Sequence, residues 1–261
     1  MGGAESRYWD DVGERFAGGS RQRLWRLHSD AVNRALLARW LPDGPVRRLL
    51  KTDVFDEAVS EGLAGWIATR AARVHGIDIS PATARAARRN SGMLVAAADC
   101  RRLPFGSGVF DAVVSISTLD HFHAPSDVHV ALRELRRVLR TGGTLVLTLD
   151  NPANPFVALR AALPEPWLQR VGLVPYHVGP SLGPGALPAA ARAAGFRVDE
   201  VTSTLHVPRV LAIPLARLVD RLGRPRLRHA LLRALMAFEG LRRWPTRFRS
   251  GHFVALRAIA A

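Results

Sequence analysis

Residues 110–149 read FDAVVSISTLDHFHAPSDVHVALRELRRVLRTGGTLVLTL and predict two buried strands joined by a helix. The run from Asp111 to Ile116 is apolar without alternation, which is typical of a strand buried on both faces of a parallel sheet. From Asp127 to Leu139 the apolar residues recur at helical spacing. The pair Gly142-Gly143 then turns the chain into a second strand, Thr144 to Leu149. A strand, a crossover helix and a second strand form a βαβ unit, so this stretch predicts an α/β fold.

The same rhythm continues on both sides of that stretch. Apolar runs predict five further strands, at 46–50, 74–79, 93–97, 196–205 and 252–258. Ser80-Pro81 supplies an N-cap followed by proline at the first helical position, and it predicts a helix that starts after the second strand. We therefore expect a Rossmann-like, doubly wound sheet of seven mostly parallel strands, with helices on both faces. In such sheets a ligand binds at the carboxyl ends of the strands.

The chain is expected to form one domain with five parts. These are an N-terminal helical cap (1–45), a central α/β core (46–150), a loop and helix (151–206), a basic helical insert (207–249) and a final strand (250–261). Within the core, the stretch from Glu57 to Thr69 is predicted to be helical. Within the third part, Pro152 to Pro184 is predicted to be a proline-rich loop.

Composition limits the class of protein. The chain has 261 residues, of which 48% are hydrophobic and 23% charged, and this fits a globular domain rather than a disordered chain. Cys100 is the single cysteine, which excludes an intramolecular disulfide framework and suits a reducing cytoplasm. The amino terminus is polar, so we expect no signal peptide. No uncharged apolar stretch approaches the roughly 20 residues that a membrane span needs.

The formal charge of +15 is carried almost entirely by arginine, because Lys51 is the only lysine among 37 basic residues. A strongly basic chain is typical of nucleic-acid binders. Here the arginines are spread along the sequence, and an arginine- and alanine-rich composition is typical of a GC-rich genome. We therefore regard nucleic acid as an unlikely partner, and an anionic surface or substrate as a better match.

Three motifs carry a resemblance to a known family. Residues 99–105 (DCRRLPF) and 110–115 (FDAVVS) resemble the D-x-x-x-L-P-F and F-D-x-V segments of class I S-adenosylmethionine-dependent methyltransferases. Residues 132–143 (LRELRRVLRTGG) resemble the helix-to-strand turn of that family, and Tyr8-Trp9-Asp10 resembles a frequent opening of it. The resemblance covers roughly residues 8 to 150 and the final strands. It implies S-adenosylmethionine as the cofactor and methyl transfer as the activity.

The resemblance also implies which positions hold the cofactor. Asp78, at the end of the second strand, matches the acidic residue that accepts hydrogen bonds from the ribose hydroxyls. Asp99, after the third strand, matches the residue that receives the adenine amino group. A carboxylate suits the first role because its two oxygens can accept from two vicinal donors. Ile79, Cys100 and Ser115 complete the expected cofactor contacts, whereas the alternative is that each aspartate only caps a helix or a turn.

The first strand departs from the family's pattern, in which Asp-x-Gly-x-Gly follows apolar residues. Residues 51–57 read KTDVFDE, so a lysine replaces the usual acid and side chains replace both glycines. One interpretation is that Asp53, Asp56 or Glu57 binds the cationic amino-acid part of the cofactor, while Lys51 holds its carboxylate. The other is that the pocket serves a different ligand or no catalysis. The intact acids after the second and third strands favour the first interpretation.

Two loops are expected on the acceptor side. His121 lies after the fourth strand and is predicted to remove the acceptor proton, because histidine changes its charge near neutral pH. Asp120 is predicted to orient or charge that ring. Asp150 and Asn151, after the fifth strand, are expected to bind the acceptor together with Tyr176. The histidines and one carboxylate of the first loop do not make a metal site, so no metal is predicted. The alternative is that both loops merely close the sheet edge.

Residues 207–247 hold two predicted helices, Ile213 to Leu222 and Leu227 to Leu241, which combine apolar residues at helical spacing with many arginines. Such helices can pack on their own domain, cover a hydrophobic acceptor, or make peripheral contact with an anionic membrane. We expect a methyltransferase that acts on a small or lipid-like molecule at oxygen. Two alternatives stay open: a methyltransferase-like protein with an altered pocket that does not methylate, and a nucleic-acid methyltransferase.

Overall fold

The computed structural model describes residues 2–16, 22–170 and 174–261. Its strands are β1 (Val46–Lys51), β2 (Ala71–Asp78), β3 (Leu94–Ala97), β4 (Phe110–Ile116), β5 (Leu139–Asp150), β6 (Phe196–Thr204) and β7 (Phe253–Ala260). Within the described residues they form one sheet in the order β3-β2-β1-β4-β5-β7-β6. The first five strands are parallel, and β7 is antiparallel to both β5 and β6. The predicted seven-stranded, mostly parallel sheet is confirmed.

Helices surround this sheet. They are α1 (Gly2–Phe16), α2 (Arg23–Trp40), α3 (Phe55–Val59), α4 (Ala64–Ala68), α5 (Pro81–Ser91), α6 (Pro125–Val138), α7 (Pro155–Ala162), α8 (Glu165–Arg170), α9 (Ala186–Ala193), α10 (Arg209–Leu222), α11 (Pro225–Ala237) and α12 (Arg247–Ser250). Short 3₁₀ helices occupy Leu119–His121 and Phe238–Arg243. The predicted start of α5 is confirmed, because the Ser80 hydroxyl accepts a hydrogen bond from the Thr83 amide and proline follows it.

The core lies on both faces of the sheet, because successive residues of a strand point to opposite faces. On one face Leu50 and Val113 pack against α6 and α9 through residues such as Leu132. On the other, Leu49 and Val114 pack among side chains of α2, α4 and α5. Strands buried on both faces explain the continuous apolar runs in the sequence.

Two predicted segments differ from the structure. The stretch from Glu57 to Thr69 is divided into α3 and α4, because Gly62 takes a positive φ of 53° and the Glu57 carboxylate accepts the Leu63 amide between them. The predicted loop from Pro152 to Pro184 contains α7 and α8. There Asn154 caps α7 by accepting from two amides, and the proline that follows it begins the helix rather than preventing it.

The N-terminal helices and the helices before β7 pack on each other. A separate apolar cluster joins Leu24 and Val32 of α2 to Ala216 of α10 and Leu235 of α11. Asp220 of α10 also accepts a hydrogen bond from the Leu24 amide at 2.9 Å. These helices stand over the carboxyl edge of the sheet, and a cavity lies between them and the strand ends.

Candidate functional site

The cavity has a volume of about 1050 Å³ and two sides of opposite charge. The loops after β1, β2 and β3, together with α2, contribute the aspartates at positions 30, 53, 56, 78 and 99, which we call the acidic side; Arg26 of α2 also lines the cavity and its charge acts on Asp56. The loop after β5, α7, α10 and the segment before β7 contribute arginines at positions 160, 209, 217 and 249, which we call the basic side. The 3₁₀ helix with His121 follows β4, the central strand between them.

Asp78 lies at the end of β2 on the acidic side, as the sequence predicted for a ligand contact. It is buried, and its carboxylate accepts from the Ser80 amide at 2.9 Å and from the Val54 amide at 3.4 Å. Burial, together with the nearby Asp53, raises the pKa of Asp78 to about 8. A buried acid with this pKa is stabilised in its ionised form by a hydrogen-bond donor or by a cation.

Three further aspartates extend the acidic side. Asp53 accepts from the Phe55 amide at 2.9 Å and lines the cavity with Asp56. Asp30 comes from α2, and burial together with the charge of Asp56 raises the pKa of Asp30 to about 7. Crowded carboxylates of this kind disfavour their own ionisation, so a positively charged ligand fits this side.

Lys51 is part of the loop's framework and does not line the cavity. Its ammonium is 2.8 Å from Glu57 Oε2, and it also donates to the carbonyl of Asp53. Burial alone would lower the pKa of Lys51, but Glu57 and Asp53 hold it above its ordinary value. Val54 packs where a Cβ on Gly76 of β2 would lie. The loop is therefore held by a buried ion pair and by Val54 rather than by glycines.

The remaining predicted cofactor positions are spread around the acidic side. Ile79, Asp99 and Cys100 line the cavity, whereas Ser115 is buried in β4 and accepts from the Thr52 hydroxyl. The Asp99 carboxylate is engaged by the Arg101 guanidinium through bonds of 2.6 to 3.0 Å. Cys100 is a buried free thiol whose pKa is raised by burial.

His121 lies on the cavity wall in an orientation that leaves Nε2 free. Its Nδ1 is 3.0 Å from the His177 carbonyl. A carbonyl only accepts hydrogen bonds, so Nδ1 carries the proton of the neutral ring and Nε2 carries the lone pair. Among the described residues no hydrogen-bond partner is within reach of Nε2. The ring is held by Trp9 and Tyr176, whose centroids are 5.1 and 5.4 Å away.

Asp120 was predicted to orient or charge the His121 ring, and it makes no hydrogen bond to that ring among the described residues, although the charge of His121 acts on its carboxyl. It is completely buried, and its Oδ2 accepts from the Ser117 hydroxyl and from the Asp150 amide, both at 3.0 Å. Burial raises the pKa of Asp120. Ser117 has a φ of 46°, a conformation that costs energy in a residue other than glycine. Asp120 therefore joins the ends of β4 and β5 and fixes the backbone of the His121 loop.

Two of the three residues predicted to bind the acceptor, Asp150 and Tyr176, line the cavity, and the third, Asn151, does not. Asp150 lines the cavity, but its Oδ2 is 2.5 Å from Arg160 Nη2 and its Oδ1 is 3.3 Å from His252 Nε2. Burial opposes ionisation, but the guanidinium of Arg160 helps to lower the pKa of Asp150. Asn151 is buried away from the cavity, and its side-chain amide donates to the carbonyls of Phe248 and Gly251. Tyr176 lines the cavity beside His121, and burial raises its pKa to about 12.

Sequence reasoning missed the cavity residues that come from the helices above the sheet. Trp9, Trp25 and Asp30 belong to α1 and α2, whereas Arg209 and His252 flank the helices before β7. Asp30 gave no signal either, since its neighbours on the same helix face include the polar residues Arg26, Asn33 and Arg34. Finding any of them required knowledge of how the two sets of helices pack together.

Comparison with known proteins agrees with this fold. Residues 59–147 match a family model described as a methyltransferase domain. The O-methyltransferase cnsE of Penicillium expansum is 33% identical over 143 residues, which are 50% of this chain and 46% of that protein. The chain spans less than half the length of the curated relatives it matches.

Solved structures with the same fold have low sequence identity to the chain. A chain of the Haloferax volcanii complex between the Trm112 methyltransferase activator and a methyltransferase has a TM-score of 0.61 and 17% identity, covering 96% of this chain and 98% of its own. Geranyl diphosphate C-methyltransferase from Streptomyces coelicolor, solved with Mg²⁺, geranyl diphosphate and S-adenosyl-L-homocysteine, has a TM-score of 0.56 and 15% identity, with coverages of 89% and 79%. Residues 59–147 therefore match a methyltransferase domain, and the fold of the described chain is similar to that of solved methyltransferases.

Proposed function

We propose that the chain is an S-adenosylmethionine-dependent methyltransferase that methylates a small or lipid-like molecule at oxygen. One observation carries the proposal: the acidic side and a histidine with a free Nε2 face the same cavity, at the edge where such sheets bind ligands. The cavity of about 1050 Å³ is at the upper end of ordinary ligand pockets, so it has room for a cofactor together with an acceptor.

The acidic side fits S-adenosylmethionine. That molecule carries a sulfonium and an ammonium cation beside two ribose hydroxyls, and it supplies a methyl group for in-line displacement. Asp78 would accept from the hydroxyls, because within the described part of the chain its buried carboxylate has only two backbone amides as partners. Asp30, Asp53 and Asp56 would surround the cationic part, which would relieve their mutual repulsion.

His121 is the residue that would receive the acceptor proton. An oxygen nucleophile must lose its proton as the new bond to carbon forms, and Nε2 is the available lone pair on this wall. The His177 carbonyl holds the ring in this tautomer, and Trp9 and Tyr176 restrict its rotation and exclude water from one side. The catalytic contribution of the protein is then positioning plus proton removal.

A second candidate function is kept because of the loop after β1. Phe55 lines the cavity where the family has glycine, and the buried Lys51–Glu57 pair replaces the usual acid. A pocket reshaped in this way could bind a related nucleoside ligand without methyl transfer. Binding of S-adenosylhomocysteine without turnover on any acceptor would favour this candidate.

The test of the proposed function is a turnover screen that detects S-adenosylhomocysteine release with hydroxyl- and carboxyl-bearing acceptors. With an acceptor found, His121→Ala should lower kcat by roughly 100-fold or more, since general-base catalysis contributes about that much. Its affinity for S-adenosylhomocysteine should stay unchanged. His229→Ala is the matched control, because His229 is exposed on α11 and does not line the cavity. Equal turnover of the two variants would remove His121 from the mechanism.

We further propose a cytoplasmic protein that makes peripheral contact with anionic membranes through α10. This helix packs inward through Ala212, Ala216 and Val219, while Leu211 and Leu218 are 70% and 53% exposed. Arginines lie on the same helix, and exposed apolar residues beside basic ones favour an anionic lipid surface. None of the described helices combines the length and apolar character needed to cross a bilayer.

A further inference from the structure

We propose that the basic side of the cavity binds the carboxylate or phosphate group of an amphipathic acceptor, and that the guanidinium of Arg209 is its main contact. This inference rests on the proposed function, because the bound molecule would be the methyl acceptor. It adds the charge of that molecule and the residue that recognises it.

Arg209 is fixed in place but has no anionic partner among the residues that the structure describes. Its guanidinium lies 5.6 Å from the centroid of the Trp25 ring and donates to His252 Nε2 at 2.8 Å. No carboxylate among the described residues lies within salt-bridge distance of it. A guanidinium has five donors, so contact with one imidazole leaves most of its hydrogen-bonding capacity free to bind a carboxylate or phosphate.

The groups around Arg209 do not neutralise it. Burial, reinforced by the positive charge of Arg209, lowers the pKa of His252 to about 4, so the ring is neutral at pH 7. Arg209 is nearer to His252 Nε2 than Asp150 is, at 2.8 against 3.3 Å, so we assign the lone pair of that nitrogen to Arg209. Asp150 is already paired with Arg160 at 2.5 Å. The group of neighbouring side chains Arg160, Asp150, His252 and Arg209 therefore carries one net positive charge.

Further charge on this side has the same sign. Arg217 of α10 and Arg249 of α12 line the cavity, and neither has a carboxylate partner among the described residues. Asp150 is the only acid that the described part of the chain places on the basic side. The acidic and basic sides thus match a cationic cofactor and an anionic acceptor, which would be held at opposite ends of one cavity.

The basic side is also apolar. Ile213, Phe238 and Leu241 line it near the arginines, and Phe156 and Leu159 of α7 line it while being 55% and 59% exposed. Exposed large apolar residues at the rim of a cavity are typical of a binding surface. Positive charge next to such a surface fits a hydrocarbon chain with an acidic end rather than a neutral alcohol or an amine.

The test uses four probes with the same chain length: dodecanoate, dodecyl phosphate, dodecanol and dodecyltrimethylammonium. Each is titrated below its micelle concentration into the full chain in the presence of saturating S-adenosylhomocysteine. We expect the two anions to bind at least tenfold more tightly than the alcohol and the quaternary ammonium cation. Preference between carboxylate and phosphate then separates a fatty-acid-like from a phosphorylated acceptor.

Three variants assign the effect. Arg209→Gln should weaken binding of the preferred anion at least tenfold. Arg249→Gln should weaken it less, because Arg249 also lines the cavity but is exposed to solvent. Arg192→Gln removes the same charge from an exposed position on α9, outside the cavity, and should bind like the wild type. Equal affinity for all four probes, or equal loss in Arg209→Gln and Arg192→Gln, would overturn the inference. S-adenosylhomocysteine binding is measured separately in each variant, so failure of the proposed function and failure of this inference give different results.

Discussion

Replacing Lys51 by Met tests whether the loop after β1 is held by a buried ion pair. The side chains of Lys51 and Glu57 are 6% and 0% exposed, and their charged atoms are 2.8 Å apart. At that distance and an effective dielectric constant of about 20, the gross attraction is about 6 kcal/mol. Much of it is offset by the cost of burying both charges. The free energy of unfolding falls when one partner is removed. Glu57 would then be a buried charge whose remaining donor, among the described residues, is the Leu63 amide.

We expect Lys51→Met to lower the free energy of unfolding by about 3–5 kcal/mol, as is usual when a buried charge loses its partner. The double variant Lys51→Met/Glu57→Gln keeps an acceptor for the Leu63 amide and removes the uncompensated charge. It should therefore recover most of the lost stability. Arg47→Met is the control, because Arg47 is an exposed residue of the same strand. It should change stability by less than about 0.5 kcal/mol.

Urea unfolding at pH 7, followed by circular dichroism, measures all three variants. The reasoning is refuted if Lys51→Met costs less than about 1 kcal/mol, or if the double variant is as unstable as the single one. The first result would mean that Lys51 does not support the loop. The second would mean that Lys51 supports it through contacts other than the ion pair with Glu57, such as its bond to the Asp53 carbonyl.

Two further predictions concern ligands. The ionised form of Asp78 is the one that accepts from both ribose hydroxyls, and its pKa is raised to about 8. Affinity for S-adenosylhomocysteine should therefore rise between pH 6 and pH 8, by up to about tenfold per pH unit, and then level off. Calorimetry should show this slope in the wild type and in the surface control Asp43→Asn. The slope should be shallower in Asp78→Asn, where Asp30, with its pKa raised to about 7, still titrates. A wild-type affinity independent of pH, or an unchanged slope in Asp78→Asn, would contradict the assignment. In sedimentation with vesicles, the chain should bind anionic lipid weakly and less at high salt, and Leu211→Ser/Leu218→Ser should reduce that binding. Equal binding of wild type and variant would remove α10 from membrane contact.

The fold could be predicted from the sequence because its signals are local. Continuous apolar runs identified the strands, and Ser80-Pro81 identified the start of α5. The errors were local too. The many prolines from Pro152 to Pro184 predict a loop because proline usually breaks a helix, whereas Asn154 caps α7 and the proline after it begins that helix.

The candidate site was predictable only where a residue follows a strand directly. Asp78 ends β2 and His121 follows β4, so strand prediction placed both at the cavity. The partner of the His121 ring is a backbone carbonyl 56 residues away, and no side-chain pattern announces it. Arg209 and Asp30 face the cavity only because α10 packs on α2, a contact between elements far apart in sequence.

The most direct test of the central claim is calorimetric titration of the wild-type chain with S-adenosylhomocysteine at pH 8. The arrangement of the acidic side predicts one site per chain with a Kd in the micromolar range, which corresponds to a binding free energy of about −8 kcal/mol. No binding at about 1 mM ligand would mean that the loop after β1 has closed the nucleoside site, and the account of this cavity as a methyltransferase site would be contradicted.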